Sequence, residues 1–190
     1  MNYGKYKNLR DAAWLCLIEF GFNQLPIQVL DIARALGITV LKYSQVKKDK
    51  LKPKESGTTV FIGDKIYIIY RDSESIQRCR FTIAHELGHI LLGHKLIENR
   101  YFRKFDTTKP EIETEADMFA SRLLAPACVL WGLNLHTADE IAKVCNISKK
   151  AAQARADRMA TLYKRNKFLT SQLERAVFNN FRDFVNKNKM

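Results

Sequence analysis

The stretch Phe81-Thr82-Ile83-Ala84-His85-Glu86-Leu87-Gly88-His89 decides how the rest of this chain is read. Residues four apart on a helix share one face, so His85 and His89 can present two imidazoles to one metal ion. Glu86 sits one position on, about 100° further round the helix. A carboxylate there reaches a water activated by the metal without itself being a ligand, and zinc lowers the pKa of such a water to about 7. With 4 His and 10 Glu in 190 residues, this HExxH pattern arises by chance in roughly one such sequence in 200. Phe81, Ile83, Ala84, Leu87, Ile90, Leu91 and Leu92 make the segment apolar on more than one face, which predicts a buried helix. Buried imidazoles and a buried carboxylate need a partner, and a metal supplies one. Gly88 leaves room for another element to come close.

A catalytic zinc site has three protein ligands and one open position. The arrangement HExxHxxGxxH would put Gly at 92 and His at 95; Leu92 and Lys95 stand there, so that class is excluded. His94 is expected to point away from the metal, to the surface or behind the ligands. The third ligand is sought in Glu111-Ile112-Glu113-Thr114-Glu115-Ala116-Asp117. The helix containing it has Ala116, Phe119, Ala120, Leu123 and Leu124 as core-facing positions. Glu113 shares their side by helical spacing and is favoured, whereas Glu115 is rotated toward Phe119 and Arg122 and is the reserve. Asp117, one turn past Glu113, is placed to accept a hydrogen bond from a ligating imidazole and so fix its tautomer. Helix-dipole complementation accounts for Glu111, but not for an aspartate on the apolar face. For a donor to a developing oxyanion, His94, Tyr101 and Arg122 stay open.

Outward from this centre the chain reads as a small α+β domain. Leu9, Ala12, Ala13, Cys16, Leu17 and Phe20 repeat at helical spacing, with Gly21 as C-cap. A second amphipathic stretch starts at Pro26, with Ile27, Leu30, Ile32, Ala33 and Leu36, and stops at Gly37. Ile38 to Tyr43 is a short β-branched strand, and Thr58–Ile62 with Lys65–Tyr70 form a hairpin about Gly63-Asp64. The metal-site helix opens at Asp72-Ser73 and runs to about His94. A polar connection occupies 44–57 and a loop 95–110. Helices follow over about 111–124, 137–145, 148–164 and 169–186, Pro126 breaking the first of them. The expected division is a metallopeptidase-like domain over 1–130 and a helical region over 131–190. Within the latter, Asp139–Ser148 and the segment to Arg155 have helix-turn-helix spacing, with Lys149, Lys150 and Arg155 available to nucleic acid.

Composition bounds the function. Lys+Arg number 32 against Asp+Glu 20, a net charge of +12. Residues 147–190 carry 11 basic and 3 acidic side chains, so the excess is mainly C-terminal, read as a solvated helix face and tail or a docking patch for an acidic partner. No apolar run approaches the ~18 residues of a membrane helix, and no signal peptide is expected. Cys16, Cys79, Cys128 and Cys145 form no CxxC pair, so each is expected to be a reduced thiol.

The segments Phe81–His89, Glu113-Thr-Glu-Ala-Asp117-Met-Phe-Ala120 and Leu123-Leu-Ala-Pro126 closely resemble the ImmA/IrrE family of zinc metallopeptidases. The resemblance covers roughly residues 10–165. It implies a mostly helical α+β fold with a small sheet beside the HExxH helix, a zincin-like (gluzincin-type) core and a helix-turn-helix-like C-terminal part. It also implies Zn2+ held by His85, His89 and Glu113, and Glu86 as general base. Asp117 stands where the family commonly has Asn, and Ala125 where a larger residue often precedes the proline. Such proteins are typically cytoplasmic and often encoded on mobile elements. They cut a helix-turn-helix repressor encoded nearby, and some serve a stress response. The alternatives are a non-catalytic zinc-containing regulatory or toxin–antitoxin module, and a DNA-binding regulator using residues 139–158. An intact Glu86 argues against the former, since a pure binder has no use for that carboxylate.

Overall fold

The computed structural model describes residues 3–46, 55–94 and 111–189. The loop expected at 95–110, with Tyr101, and positions 47–54 of the polar connection lie outside those residues. The described chain is mostly helical with one three-stranded sheet, the α+β arrangement read from the sequence. It divides into two compact units, Gln28–Ala120 and Met1–Ile27 with Ser121–Met190.

In the Gln28–Ala120 unit, α1 being reserved for the other, the order is α2 (Val29–Ala35), β1 (Thr39–Lys42), β2 (Gly57–Ile62), β3 (Lys65–Tyr70), α3 (Ile76–Leu91) and α4 (Glu111–Leu124), whose last turn belongs to the second unit. The sheet order is β1-β3-β2. β1 runs parallel to β3, from Thr39 opposite Tyr67 to Lys42 opposite Tyr70. β2 runs antiparallel to it, from Gly57 opposite Tyr70 to Ile62 opposite Lys65. Gly63, at φ +57°, supplies the left-handed backbone of the hairpin turn. β3 is central, so Ile68 and Ile69 are buried, while Phe61 and Ile62 on edge strand β2 are exposed. α3 packs on β2 and β3, and α2 packs on α3 and β1.

Several boundaries differ from the sequence reading. α2 begins at Val29, not Pro26, and buries Val29, Ile32 and Ala33. Leu30 and Leu36, expected on its apolar face, are exposed, because a seven-residue helix has only one narrow covered stripe. α3 starts after Ser75, whose hydroxyl accepts from the Arg78 backbone N–H. Asp72 instead accepts from the backbone N–H and hydroxyl of Ser44. α3 ends at Leu91; Leu92 caps it and Gly93 turns away at φ +74°.

The expected close approach at Gly88 is real. A Cβ there would lie 3.1 Å from Cδ1 of Phe119 and 3.3 Å from both Cα and O of Ala116. This contact joins α3 to α4, whose Ala116, Phe119 and Ala120 are fully buried.

The second unit comprises α1 (Tyr3–Glu19), α5 (Ala127–Gly132), α6 (Ala138–Cys145), α7 (Lys149–Lys164), α8 (Gln172–Asn180) and α9 (Arg182–Asn188). α5 escapes a sequence reading because six residues are too few for a period, and Pro126 signals a helix start as well as a stop. α6 and α7 pack together about Asn146, left-handed at φ 50°, with Ser148 capping α7. Arg155, which the DNA-binding alternative needs exposed, is buried, and its Nε donates to the Ala125 carbonyl at 2.7 Å. Burial, with repulsion from Arg122, pulls its pKa down to about 10. Lys149 pairs with Asp139 at 3.0 Å. The helix-turn-helix-like segment is therefore anchored inward at one of the three cations that the DNA-binding alternative would use.

The C-terminal segment is part of the core and not a solvated tail. α8 packs against α1 and α5, and Val177, Phe181 and Val185 are buried. The helix expected over 169–186 is two, α8 and α9, meeting at Phe181. A Cβ on Gly132 would lie 2.5 Å from Phe178 and 3.1 Å from Val185, so a larger residue on α5 would displace side chains of this segment where it docks. Phe181→Ala is expected to lower unfolding free energy by about 3–5 kcal/mol in denaturant titrations, the range for a fully buried aromatic. A change below about 1 kcal/mol would restore the tail reading.

Candidate metal centre

α3 and α4 carry the chemistry. On α3, one turn separates His85 from His89, and their Nε2 atoms are 3.0 Å apart. On α4, Glu113 spans the pair: Oε2 is 3.2 Å from His85 Nε2 and Oε1 is 3.2 Å from His89 Nε2. Four-coordinate zinc holds ligands at about 2.0–2.1 Å, which puts neighbouring tetrahedral donors about 3.3 Å apart. The three observed separations are close to that edge. Among the described residues, His85, His89 and Glu113 are the group able to hold a metal ion, and two imidazoles with one carboxylate suit a divalent metal.

Each imidazole is fixed from behind. Asp117, one turn beyond Glu113, has Oδ1 2.8 Å from His85 Nδ1. His89 Nδ1 lies 3.1 Å from Nδ1 of His94, whose Nε2 is 2.8 Å from Oε2 of Glu115. His94 is thus buried behind His89 and not on the surface. Its place was not readable from helical projection, because α3 stops at Leu91 and Gly93 redirects the chain. Glu115 accordingly meets His94, while Glu113 meets the two α3 imidazoles.

Glu86 is buried, and its Oε2 accepts from the Thr59 hydroxyl at 2.6 Å. It stands beside the cluster without joining it. Thr59 is the residue a sequence reading misses, since only the position of β2 against α3 brings it to Glu86. The same close approach explains Gly57: a Cβ there would lie 2.4 Å from Thr82 Cγ2 and 3.8 Å from Glu86 Cγ. Of the oxyanion donors considered, His94 is committed to His89 and Glu115, Arg122 belongs to the second unit, and Tyr101 lies outside the described residues. None of the four cysteines forms a disulfide or joins the cluster, and burial pushes the Cys16 and Cys128 thiols up to about 12.

The carboxylates set the protonation of the metal-free site. Burial works against a charge on His85, but hydrogen bonds to Asp117 and Glu113 and the Glu86 charge outweigh it, and the pKa rises to about 9. Hydrogen bonds from His85 and His89 hold Glu113 well below the usual carboxylate range, against burial. Burial, reinforced by His89 and opposed by Glu115, lowers His94.

An HExxH helix with a carboxylate from the next helix defines a class, the metallopeptidases. Within it, the family described as Peptidase_M78, IrrE N-terminal-like domain, matches residues 33–157. The chain belongs to that family, and a metallopeptidase activity and a protein substrate follow in general terms. No curated protein matches the chain. Among the described residues, no helix is long and apolar enough to cross a membrane.

A metal ion held by this group would compete with a proton for His85 Nε2. Affinity for zinc, titrated into metal-free protein at pH 6, 7 and 8, is expected to rise about tenfold per unit and to level off near pH 9. The sign for metal-free stability is opposite: the raised pKa of His85 stabilises the fold fully below about 6.5, and that contribution is lost as pH rises through about 9. A zinc affinity flat across this range would contradict the proton assignment.

Proposed function

We propose that this chain is a zinc-dependent, site-specific endopeptidase, cytoplasmic, that cleaves a helix-turn-helix transcriptional repressor encoded nearby. His85, His89 and Glu113 hold the zinc, Asp117 orients His85, and Glu86 is the general base. The observation that supports this most is the convergence of two Nε2 atoms and one carboxylate within 3.2 Å, with a second, buried carboxylate, Glu86, beside them. The repressor as substrate, and a setting on a mobile element or in a stress response, come from the resemblance to ImmA/IrrE proteins.

Zinc in this cluster supplies Lewis acidity, acidifying a water and polarising the scissile carbonyl. The chain's own residues handle the proton. Glu86 takes it from the attacking water and delivers it to the leaving amine nitrogen. The Thr59 hydroxyl engages one Glu86 oxygen and holds the carboxylate's orientation through both transfers. The exposed side of the cluster is the Glu113–Asp117 edge, with side chains about one-third accessible, whereas the His89 side chain is 3% accessible. A substrate therefore arrives from that edge.

Co-expression with the repressor of the neighbouring gene tests the reading. Wild type is expected to cleave it, and Glu86→Gln to retain one zinc per chain but cleave about 10²–10⁴-fold more slowly. Equal cleavage by both proteins would sink the mechanism, and tight binding by wild type without cleavage would favour a regulatory zinc module. Metal analysis after dialysis separates the glutamates: Glu113→Ala is expected to lose zinc, and Glu115→Ala to keep a one-to-one stoichiometry.

A further inference from the structure

The two metal-facing imidazoles are anchored differently. His85 meets a carboxylate directly, through Asp117 at 2.8 Å. His89 meets a second imidazole at 3.1 Å, and only that imidazole meets a carboxylate, at 2.8 Å. The side chains of His89 and His94 are 3% and 4% accessible, and that of Glu115 14%, so water does not readily replace either link. In such a chain the proton positions are correlated. Glu115 is acceptor-only when ionised, so His94 Nε2 must carry a hydrogen. A neutral His94 then has a bare Nδ1, which can only accept. His89 must supply the hydrogen from its own Nδ1, which leaves its Nε2 bare and facing Glu113 and His85. The carboxylate of Glu115, too far round α4 to reach the metal, thus dictates the metal-binding tautomer of His89 through one intervening ring.

We propose that His94 and Glu115 form a two-residue relay that fixes His89 with Nδ1–H inward and Nε2 free for the metal, making both positioning residues for the metal centre. The proposal rests on the metal-centre reading above and assigns a role to the glutamate otherwise held as a reserve ligand. It accounts for the acidic run of α4: Glu113 ligates, Asp117 orients one imidazole directly, and Glu115 orients the other at one remove. It also accounts for Gly93. Its left-handed backbone, φ +74°, takes the chain off the α3 axis directly before His94.

The test uses the full chain, stripped of metal, titrated with zinc against a chromophoric chelator and with cobalt(II) for its visible absorption. His94→Phe keeps a ring and removes the acceptor. It is expected to weaken zinc binding 10- to 100-fold, the range for losing a group that orients a ligand, and to alter the cobalt band, while one ion per chain still binds at saturation. His94→Asn restores an acceptor near the position of Nδ1 and is expected to recover part of the loss. Glu115→Gln is expected to weaken binding less than His94→Phe, and to add nothing when combined with it, because the two act in series. If His94→Phe does not fold, Glu115→Gln and His94→Asn decide. Zinc affinity within twofold of wild type and an unchanged cobalt band, even with a lowered thermal midpoint, would overturn the relay and leave His94 as packing. Loss of the one-ion stoichiometry in Glu115→Gln would overturn it by making Glu115 a ligand. A wild-type chain that takes up neither zinc nor cobalt is a separate failure: it removes the metal centre itself, and the relay with it.

Discussion

The functional unit depends on the absence of one methyl group. At Gly88, α3 comes so close to α4 that a Cβ would meet Phe119 and the backbone of Ala116 at 3.1–3.3 Å. That spacing sets the distance between the imidazoles on one helix and the carboxylates on the other. Gly88 lies between the two histidines, and Ala116 lies between Glu113 and Asp117, so this close contact falls in the middle of the polar cluster. Packing there is dense and apolar, with Leu87, Ala116, Phe119 and Ala120 fully buried. Side chains carried on two helices are placed more reproducibly than side chains on loops. A glycine in a helix interior costs roughly 1 kcal/mol relative to alanine, and here the close approach is what offsets it.

How far this was legible depends on the range of the interaction. His85, Glu86, His89, Glu113 and Asp117 are related by steps of one, three or four residues along single helices, and helical period alone predicts which of them share a face. The core positions of α4 were readable for the same reason. Thr59, by contrast, reaches Glu86 across the β2–α3 contact, and nothing in a short strand marks one threonine as the partner of a carboxylate 27 residues later. For His94 the two expected places, at the surface or behind the ligands, are separated by only three residues of helix length. Extending α3 to His94 projects its ring away from His89; ending it at Leu91 brings the ring back behind. Arg155 shows the converse error, since a cation in a helix-turn-helix-like segment reads as exposed until its Nε is found on the Ala125 carbonyl.

The cluster also shows why acidic residues are concentrated in a chain with a net charge of +12. Three imidazoles, His85, His89 and His94, and three α4 carboxylates, Glu113, Glu115 and Asp117, would be poorly solvated singly. Together they satisfy one another in two hydrogen-bonded chains, each ending on an α4 carboxylate. This is the arrangement in which buried polar groups are tolerated, because few lone pairs or protons are left without a partner. The basic excess lies elsewhere, on α7 to α9, and leaves the local balance of the centre to its own residues.

The pairing of α1 with α8 has a bearing on how the polypeptide is made. The Gln28–Ala120 unit is a single uninterrupted run, so its elements can associate as they leave the ribosome. α1 is synthesised before all of them, yet its packing partner α8 begins at Gln172. Until Gln172 and the residues after it are made, α1, whose Leu9, Ala13 and Leu17 are buried in the fold, lacks this partner. Such long-range closure is slow and leaves sticky intermediates. The Gln28–Ala120 unit can thus form before α1 closes on α8, and α1 is the natural point at which a chaperone would engage the nascent chain.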